Sequence, residues 1–170
     1  MKIELRKVTL KDLPFLMSVF PEKELLKNIG LNKNPKEITK KDEISWINKS
    51  IKGYKSKKPK GYNLLIIVDG MPTGAIGTHN INYDDRNVEI GYWLAKDYRG
   101  RGIMTKAIKL FLKEIYKKFK PIRVVAYTFT FNPRSARVLE KNGFKYEGTR
   151  RKVKYVQGKF FDDRIYALIK

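Results

Sequence analysis

Short runs of apolar residues, some alternating with polar residues and some unbroken, predict about seven β-strands along the chain. In chain order, the predicted strands occupy residues 3–8, 62–68, 71–82, 88–95, 122–129, 144–156 and 159–169. Two pairs of consecutive strands are separated by dipeptides that favour tight turns, Asp69-Gly70 and Gln157-Gly158. Both pairs are therefore predicted to form antiparallel hairpins.

Other stretches have the spacing of helices. After Gly102, apolar residues recur on one helical face and lysines occupy the other; the apolar positions are Met104, Ile108, Phe111, Ile115 and Phe119. Residues 132–144, NPRSARVLEKNGF, predict a short helix capped by an asparagine with a proline just inside it. A helix is also predicted after Thr9, and residues 21–54 predict helical segments interrupted near Gly30 and Pro35. This order of elements predicts a mixed α/β sheet with antiparallel hairpins and one or two crossovers.

The length of 170 residues suits one domain with its own core, and we expect residues 1–170 to form a single domain. The chain contains no cysteine, which excludes a disulfide framework, a thiolate metal site and a thiol nucleophile. The N-terminal MKIELRKVTL has scattered charges and no apolar core, so it does not resemble a secretory signal. These features predict a cytoplasmic protein.

The charge is strongly positive, with 38 Lys and Arg residues against 17 Asp and Glu residues, a formal net charge of +21. Such a balance favours polyanions such as RNA, although a general lysine bias of the source genome would also produce it. Residues 44–68 contain no acidic residue; their lysines are Lys49, Lys52, Lys55, Lys57, Lys58 and Lys60. This one-sided segment is a candidate docking surface.

The segment GYWLAKDYRGRGIMTKAIKL, residues 91–110, joins a predicted strand to the long amphipathic helix. The first turn of a helix has unpaired N–H groups and a partial positive charge, so it attracts anions. Gly100 and Gly102 would let a ligand approach the backbone, and Arg99 and Arg101 would add positive charge. The pattern predicts a phosphate or pyrophosphate site, and an ordinary glycine loop with solvated arginines is the alternative.

The same segment, EIGYWLAKDYRGRGIMTKAI, followed about 30 residues later by NPRSARVLEKNGF, resembles the GNAT superfamily of acetyl-CoA-dependent N-acetyltransferases. Within that superfamily, the chain is most similar to the ribosomal-protein N-terminal acetyltransferases of the RimJ/RimL type. The resemblance covers residues 2–169 in element order and is most specific over 74–144. It implies a GNAT fold: a central, mostly antiparallel sheet of about seven strands, splayed at the CoA site and flanked by helices.

The resemblance also implies a set of CoA-binding residues. The pyrophosphate would be held by the backbone of the loop and helix start, which comprises Arg99, Gly100, Arg101, Gly102, Ile103, Met104 and Thr105. Trp93, Leu94 and Ala95 would flank the pantetheine arm, and a main-chain amide there would polarise the thioester carbonyl. Asn132 and Ser135 match the residues that contact the CoA arm. In similar proteins the last strands often pair two subunits, so a homodimer is a further expectation.

The resemblance does not fix which residues act as general acid and general base. Many superfamily members have a tyrosine seven residues after the asparagine that protonates the departing thiolate, and here that position is Leu139. The acid would then be Ser135, a water molecule or a tyrosine from elsewhere, or no dedicated acid exists. Glu89, in the strand that leads to the splay, is the candidate general base, with a structural ion pair as its alternative. His79, the single histidine, is a second candidate.

The nature of the acceptor amine is a separate question. An α-amine has a pKa of about 7.7–8.0 and a lysine amine one of about 10.4, so deprotonating the lysine near pH 7 costs about 3 kcal/mol more. The +21 charge repels polyamines unless an acidic pocket reverses the sign, and the sequence shows no acidic cluster. We therefore expect a protein N-terminal α-amine, acetylated by direct transfer in a ternary complex.

Three other functions are compatible with parts of the sequence to different degrees. The first is an acetyltransferase acting on a small amine, such as a polyamine, an amino acid or an antibiotic, in a closed acidic pocket. The second is a non-catalytic RNA-binding protein, which would bind RNA in a salt-sensitive manner and show no affinity for CoA. A nicotinamide-dependent dehydrogenase is disfavoured, because no acidic residue follows the glycines at the spacing that a ribose requires.

Asp162, Asp163 and Tyr166 of the last strand could line the acceptor side, although ion pairing is the expected role of the two acids.

Overall fold

The computed structural model describes all 170 residues and contains one seven-stranded sheet in the order β1-β2-β3-β4-β5-β7-β6. The strands are β1 (Ile3–Lys7), β2 (Tyr62–Val68), β3 (Met71–Asn82), β4 (Asn87–Leu94), β5 (Arg123–Phe129), β6 (Lys145–Val156) and β7 (Lys159–Ile169). Every neighbouring pair is antiparallel except β4 and β5, which are parallel. The predicted mixed, mostly antiparallel sheet is confirmed.

Five α-helices flank the sheet: α1 (Leu13–Val19), α2 (Lys23–Asn28), α3 (Lys40–Lys55), α4 (Ile103–Phe119) and α5 (Pro133–Glu140). Short 3-10 turns occupy Leu10–Asp12, Pro35–Glu37 and Lys96–Tyr98. α3 begins with a capping box, in which the backbone N–H of Thr39 donates to Asp42 over 2.9 Å and that of Asp42 donates to the Thr39 hydroxyl over 3.3 Å. No helix in the chain is long and apolar enough to cross a membrane.

Helices cover both faces of the sheet because the central strands are apolar on both sides. The larger core joins α4, through buried residues such as Ile108 and Phe111, to strand residues that include Ile66 and Ile90. A smaller core on the opposite face packs α1 and α3 against the sheet, and its members include Leu16, Ile47 and Leu65. Consecutive residues Leu65 and Ile66 thus belong to different cores, as expected when strand side chains alternate between faces.

The parallel pair β4 and β5 separates halfway along its length. Their ladder runs from Asn87 paired with Arg123 to Ile90 paired with Ala126, and Gly91–Leu94 pair only with β3. Beyond Ala126, β5 continues as a partner of β7 through Phe129. The two strands therefore diverge at their carboxyl ends and leave a gap within the sheet, which is the splay expected of a GNAT fold.

Candidate functional site

The loop between β4 and α4 has a backbone that requires glycine at two positions. Gly100 and Gly102 have φ angles of +77° and +73°, in the left-handed region that side chains disfavour. A Cβ built on either residue would meet nothing within 4 Å, so the backbone angle and not crowding explains the glycines. Gly102 is the N-cap of α4 and offers no capping side chain. The first N–H groups of a 17-residue helix are consequently available to an anionic ligand.

The two arginines of this loop have different surroundings. The Arg99 guanidinium donates to both carboxylate oxygens of Glu22, over 2.8 and 3.0 Å, and to the carbonyl oxygen of Leu94 over 3.0 Å. It thereby ties the start of α2 to the end of β4, so the expectation that its side chain adds free charge for a phosphate is wrong. Arg101 is exposed and lies over the ring of Tyr98, 5.9 Å from its centroid, with no carboxylate partner. Only Arg101 keeps the role that the sequence indicated for both.

Two cavities lie on either side of the gap between β4 and β5. One, of about 500 Å³, is bounded by Arg99, Gly100 and Met104 and by the start of α5; we call it the cofactor cavity. The other, of about 550 Å³, is bounded by α3, β3 and β4; we call it the acceptor cavity. Both are lined by Ile90–Trp93 and by residues 127–128. A ligand in one cavity can therefore contact a ligand in the other at the gap itself.

Of the residues predicted to flank the pantetheine arm, Trp93 and Leu94 line the cofactor cavity and Ala95 does not. The Trp93 ring stacks on Phe15, with centroids 6.0 Å apart, and Leu94 is buried in the larger core. The Ala95 N–H donates to the carbonyl oxygen of Thr73 over 2.9 Å. These contacts fix the path of β4 as it leaves β5.

A pair of hydroxyl groups lies where α5 faces β4. Asn132 caps α5 by accepting from the Ser135 N–H over 3.2 Å, and the Ser135 hydroxyl lies 2.9 Å from that of Tyr92. Burial raises the pKa of Tyr92 above its ordinary value, and the contact with Ser135 lowers it by a smaller amount, so this phenol stays protonated and can donate. Leu139, at the position of the usual tyrosine, is fully buried in the core.

Sequence reasoning did not single out Tyr92, although it allowed for a tyrosine from elsewhere. The sequence feature that could have identified Tyr92 is its position in β4, the strand that separates from β5. What the sequence could not show is that α5 folds back to put Ser135, 43 positions further along the chain, beside it.

The acceptor cavity contains both candidate bases. Glu89 lies half-buried on β4 and lines the cavity, and His79 lines it from β3. Thr78 pairs with Ile90 and Asn80 with Glu89, which leaves His79 as the extra residue of a β-bulge. A Cβ on Gly91 would overlap with Nε2 of His79, so glycine at this position makes room for the imidazole. The bulge thus directs His79 toward the gap.

The acids of the last strand have partners. Asp163 is buried and accepts from Arg150 over 2.8 and 2.6 Å, which is the ion pairing that the sequence predicted for it. The pKa of Arg150 is raised first by these hydrogen bonds and to a smaller extent by the charge of Glu89. Asp162 accepts from the backbone N–H of Lys152, and Tyr166 is buried and donates to Glu140 on α5. Of these acids, Asp163 lines the acceptor cavity.

The acceptor cavity also contains an acid that sequence reasoning missed. Glu43 of α3 is only 7% exposed and lines the cavity with Trp46. The sequence predicted only helical segments over residues 21–54, and nothing in a lysine-rich segment distinguishes a buried glutamate from an exposed one. The statement that no acidic cluster is present is therefore wrong for the folded chain, because Glu43, Glu89 and Asp163 all face one cavity.

This geometry agrees with the comparison to known proteins. The family model for an acetyltransferase (GNAT) domain matches residues 2–145. The chain belongs to the GNAT acetyltransferase family. Membership confirms the prediction of an acetyltransferase with acetyl-CoA as co-substrate.

One curated relative has a name that indicates a ribosomal acceptor. The putative ribosomal N-acetyltransferase YdaF of Bacillus subtilis (strain 168) is 35% identical over 110 residues, covering 65% of this chain and 60% of the relative. The aligned segment is thus less than two thirds of that relative's length.

Two solved structures share the fold. A ribosomal-protein alpha-N-acetyltransferase, RimL, in complex with coenzyme A, has a TM-score of 0.88 at 21% identity, covering 99% of this chain and 94% of that one. The spermidine N-acetyltransferase of Vibrio cholerae, in complex with CoA and spermine, has a TM-score of 0.85 at 17% identity, covering 98% and 95%. These two structures show the fold alone. The resemblance to the ribosomal-protein type is confirmed by sequence relatives such as YdaF.

We predict that Gly102→Val weakens acetyl-CoA binding by at least about tenfold, because a β-branched residue disfavours the left-handed backbone that orients the start of α4. Isothermal titration calorimetry measures the effect. Gly158→Val is the matched control: Gly158 has a φ of +84° in the β6–β7 turn and open space around its Cβ. An unchanged Kd for the Gly102 variant would refute the phosphate-loop assignment.

Proposed function

We propose that this GNAT enzyme acetylates the α-amine of a protein N-terminus. The observation that supports this acceptor best is the charge of the acceptor cavity, which is lined by three carboxylates, Glu43, Glu89 and Asp163, and two basic side chains, Arg150 and Lys154. Arg150 and Asp163 neutralise each other, which leaves a small net negative charge. The acidic lining removes the sequence-based argument that charge repels polyamines. The net charge is nevertheless small, so the cavity suits one cationic amine better than a polyamine with several. An α-amine also needs less help to lose its proton near pH 7.

The arrangement of the two cavities supports direct transfer in a ternary complex. The neutral amine attacks the thioester carbonyl through the gap, the C–S bond breaks, and the amine proton passes to a base. Glu89 is the proposed base, since it lines the acceptor cavity next to the point where β4 leaves β5. The thiolate of CoA receives a proton from the hydroxyl pair. The chain has no cysteine that could carry the acetyl group in between.

The cofactor contacts are proposed residue by residue. The backbone from Arg99 to Thr105 would hold the pyrophosphate at the start of α4. Trp93, Leu94 and Ala95 would flank the pantetheine, and Asn132 and Ser135 would contact its arm from α5. These assignments rest on the uncapped helix start and on the lining of the cofactor cavity, which includes Asn132 and Ser135.

The hydroxyl pair is proposed to act as one acid, with Tyr92 supporting Ser135 or the reverse. If so, Ser135→Ala and Tyr92→Phe each lower kcat by at least about tenfold, and the double variant is no worse than the poorer single one. Steady-state kinetics at saturating acetyl-CoA measures this. Tyr83→Phe, which removes a hydroxyl that donates to the Pro59 carbonyl far from the gap, is the control. Losses that multiply in the double variant would show that the two hydroxyls act separately.

The acceptor is tested by competition between amines. Wild-type enzyme is incubated with acetyl-CoA and equal amounts of a short peptide with a free N-terminal serine, the same peptide carrying a lysine and a blocked N-terminus, and spermidine. We expect kcat/KM for the free α-amine to exceed that for either other amine by at least about tenfold near pH 7, since its neutral fraction is larger. Preference for spermidine would instead support the small-amine alternative.

The basic surface supports a location near a polyanion. All six lysines between residues 49 and 60 are exposed, and none is in an ion pair. We propose that this surface docks on RNA beside a cytoplasmic protein substrate; salt-sensitive retention of RNA tests it. A single domain over residues 1–170 and a homodimer remain predictions.

A further inference from the structure

Glu43 is a buried charge without a partner. Its side chain is 7% exposed at the start of α3, and its carboxylate makes no hydrogen bond or ion pair with any other residue. The carboxylate oxygens keep a small solvent-accessible surface, and the residue lines the acceptor cavity. Buried charges in folded proteins are normally paired, because removing an ion from water is unfavourable.

No group near Glu43 on α3 supplies the opposite charge that a buried carboxylate normally has. The neighbouring Asp42 makes the capping contacts with Thr39 and accepts from Lys33 over 3.3 Å, so the closest ammonium is already engaged. Burial, and to a smaller extent the charge of Asp42, raise the pKa of Glu43, and Lys33 lowers it; together they bring it to about 7. The start of a helix stabilises a carboxylate, but Asp42 is exposed and gains that stabilisation without losing its hydration. The helix start therefore does not explain why Glu43 is buried.

The cations that line the cavity do not pair with Glu43 either. Arg150 is held by Asp163, and its guanidinium lies over Tyr127, 4.0 Å from the ring centroid. Lys154 is within 4.0 Å of no carboxylate, and its stem lies against Gly30, where an added Cβ would be 3.5 Å from its Cε. The remaining titratable groups of the cavity are Glu89, His79, Tyr92 and Tyr127, none of which is a permanent cation.

The side chain beside Glu43 is one that suits a cation. Trp46 lies three residues further along α3 and lines the same cavity, as expected for residues at this spacing on one helical face. An indole face attracts ammonium groups, and a carboxylate next to it supplies a full opposite charge. Both side chains line the cavity that also includes Gly91 and Trp93 of the gap, so the cavity offers one cationic group a carboxylate and an indole together.

We propose that Glu43 and Trp46 bind the ammonium group of the acceptor and select for a cationic amine before it is deprotonated. This inference rests on the proposed function in so far as the acceptor is an amine, and it assigns the recognition of that amine to α3. Glu43 is thus a specificity residue, and its unpaired burial is explained by the ligand that supplies the missing charge.

The test compares Glu43→Gln with Glu114→Gln, which removes an equal charge from a half-buried carboxylate that already accepts from Tyr62 on the other face of the sheet. We expect Glu43→Gln to raise KM for the amine by at least about tenfold while KM for acetyl-CoA changes less than twofold. The control leaves both constants unchanged. The amine is whichever one the wild-type enzyme acetylates, so a preference for spermidine refutes the α-amine proposal without affecting this test.

Two measurements without turnover separate recognition from a structural role. Because folding raises the pKa of Glu43, its carboxylate destabilises the protein progressively as pH rises from about 4.5 to 7. Glu43→Gln should therefore raise Tm at pH 8, on the order of 5 °C, but not at pH 5. Added n-propylammonium chloride should raise Tm of the wild type and not that of the variant. A lower Tm of the variant at pH 8, or an equal response to the ammonium probe, would overturn the proposal.

Discussion

The structure depends on one feature of the sheet, the separation of β4 from β5 after four paired residues. In parallel strands that stay paired, the backbone N–H and C=O groups of one strand bond to those of the other. Here that ladder ends at Ile90 and Ala126. β5 keeps its register with β7, and Gly91–Leu94 keep theirs with β3, so each side of the gap is held by its outer neighbour. The gap is therefore a rigid opening within a sheet. Both cavities, the helix start at Gly102 and the hydroxyl pair are arranged around it.

Ion pairs at the site hold elements in place and leave selected charges free. Arg99 is bound to Glu22 and Leu94, and this fixes the loop that precedes α4. Arg150 is bound to Asp163, and this joins β6 to β7 at the wall of the acceptor cavity. Arg101 on one side and Glu43 on the other have no such partner. In a chain of net charge +21, the unpaired carboxylate is the more informative of the two, because cations to neutralise it are abundant.

Much of the fold could be predicted from local patterns. The turn at Asp69-Gly70 and the amphipathic helix after Gly102 are signals within a few residues, and both lie where the sequence placed them. The loop with Gly100 and Gly102 could also be predicted, because its left-handed backbone angles favour residues without side chains. Family resemblance supplied what local patterns lack, namely the splay of β4 from β5.

The parts that were not predicted depend on contacts between distant segments. The partner of Arg99 lies 77 positions away, and the residue facing Tyr92 lies 43 positions away. Burial of Glu43 depends on how α3 packs against the sheet, and the direction of His79 depends on a bulge of one residue. Sequence spacing carries no information on such contacts, because the same residue types at the same spacing would serve equally well on an exposed surface.

The central claim is that the gap lets the amine attack acetyl-CoA directly while both are bound. Initial rates measured at several fixed concentrations of the preferred amine, with acetyl-CoA varied, test it most directly. Direct transfer predicts double-reciprocal lines that intersect. Parallel lines, together with release of free CoA before any amine is added, would show an acetylated enzyme and contradict the account.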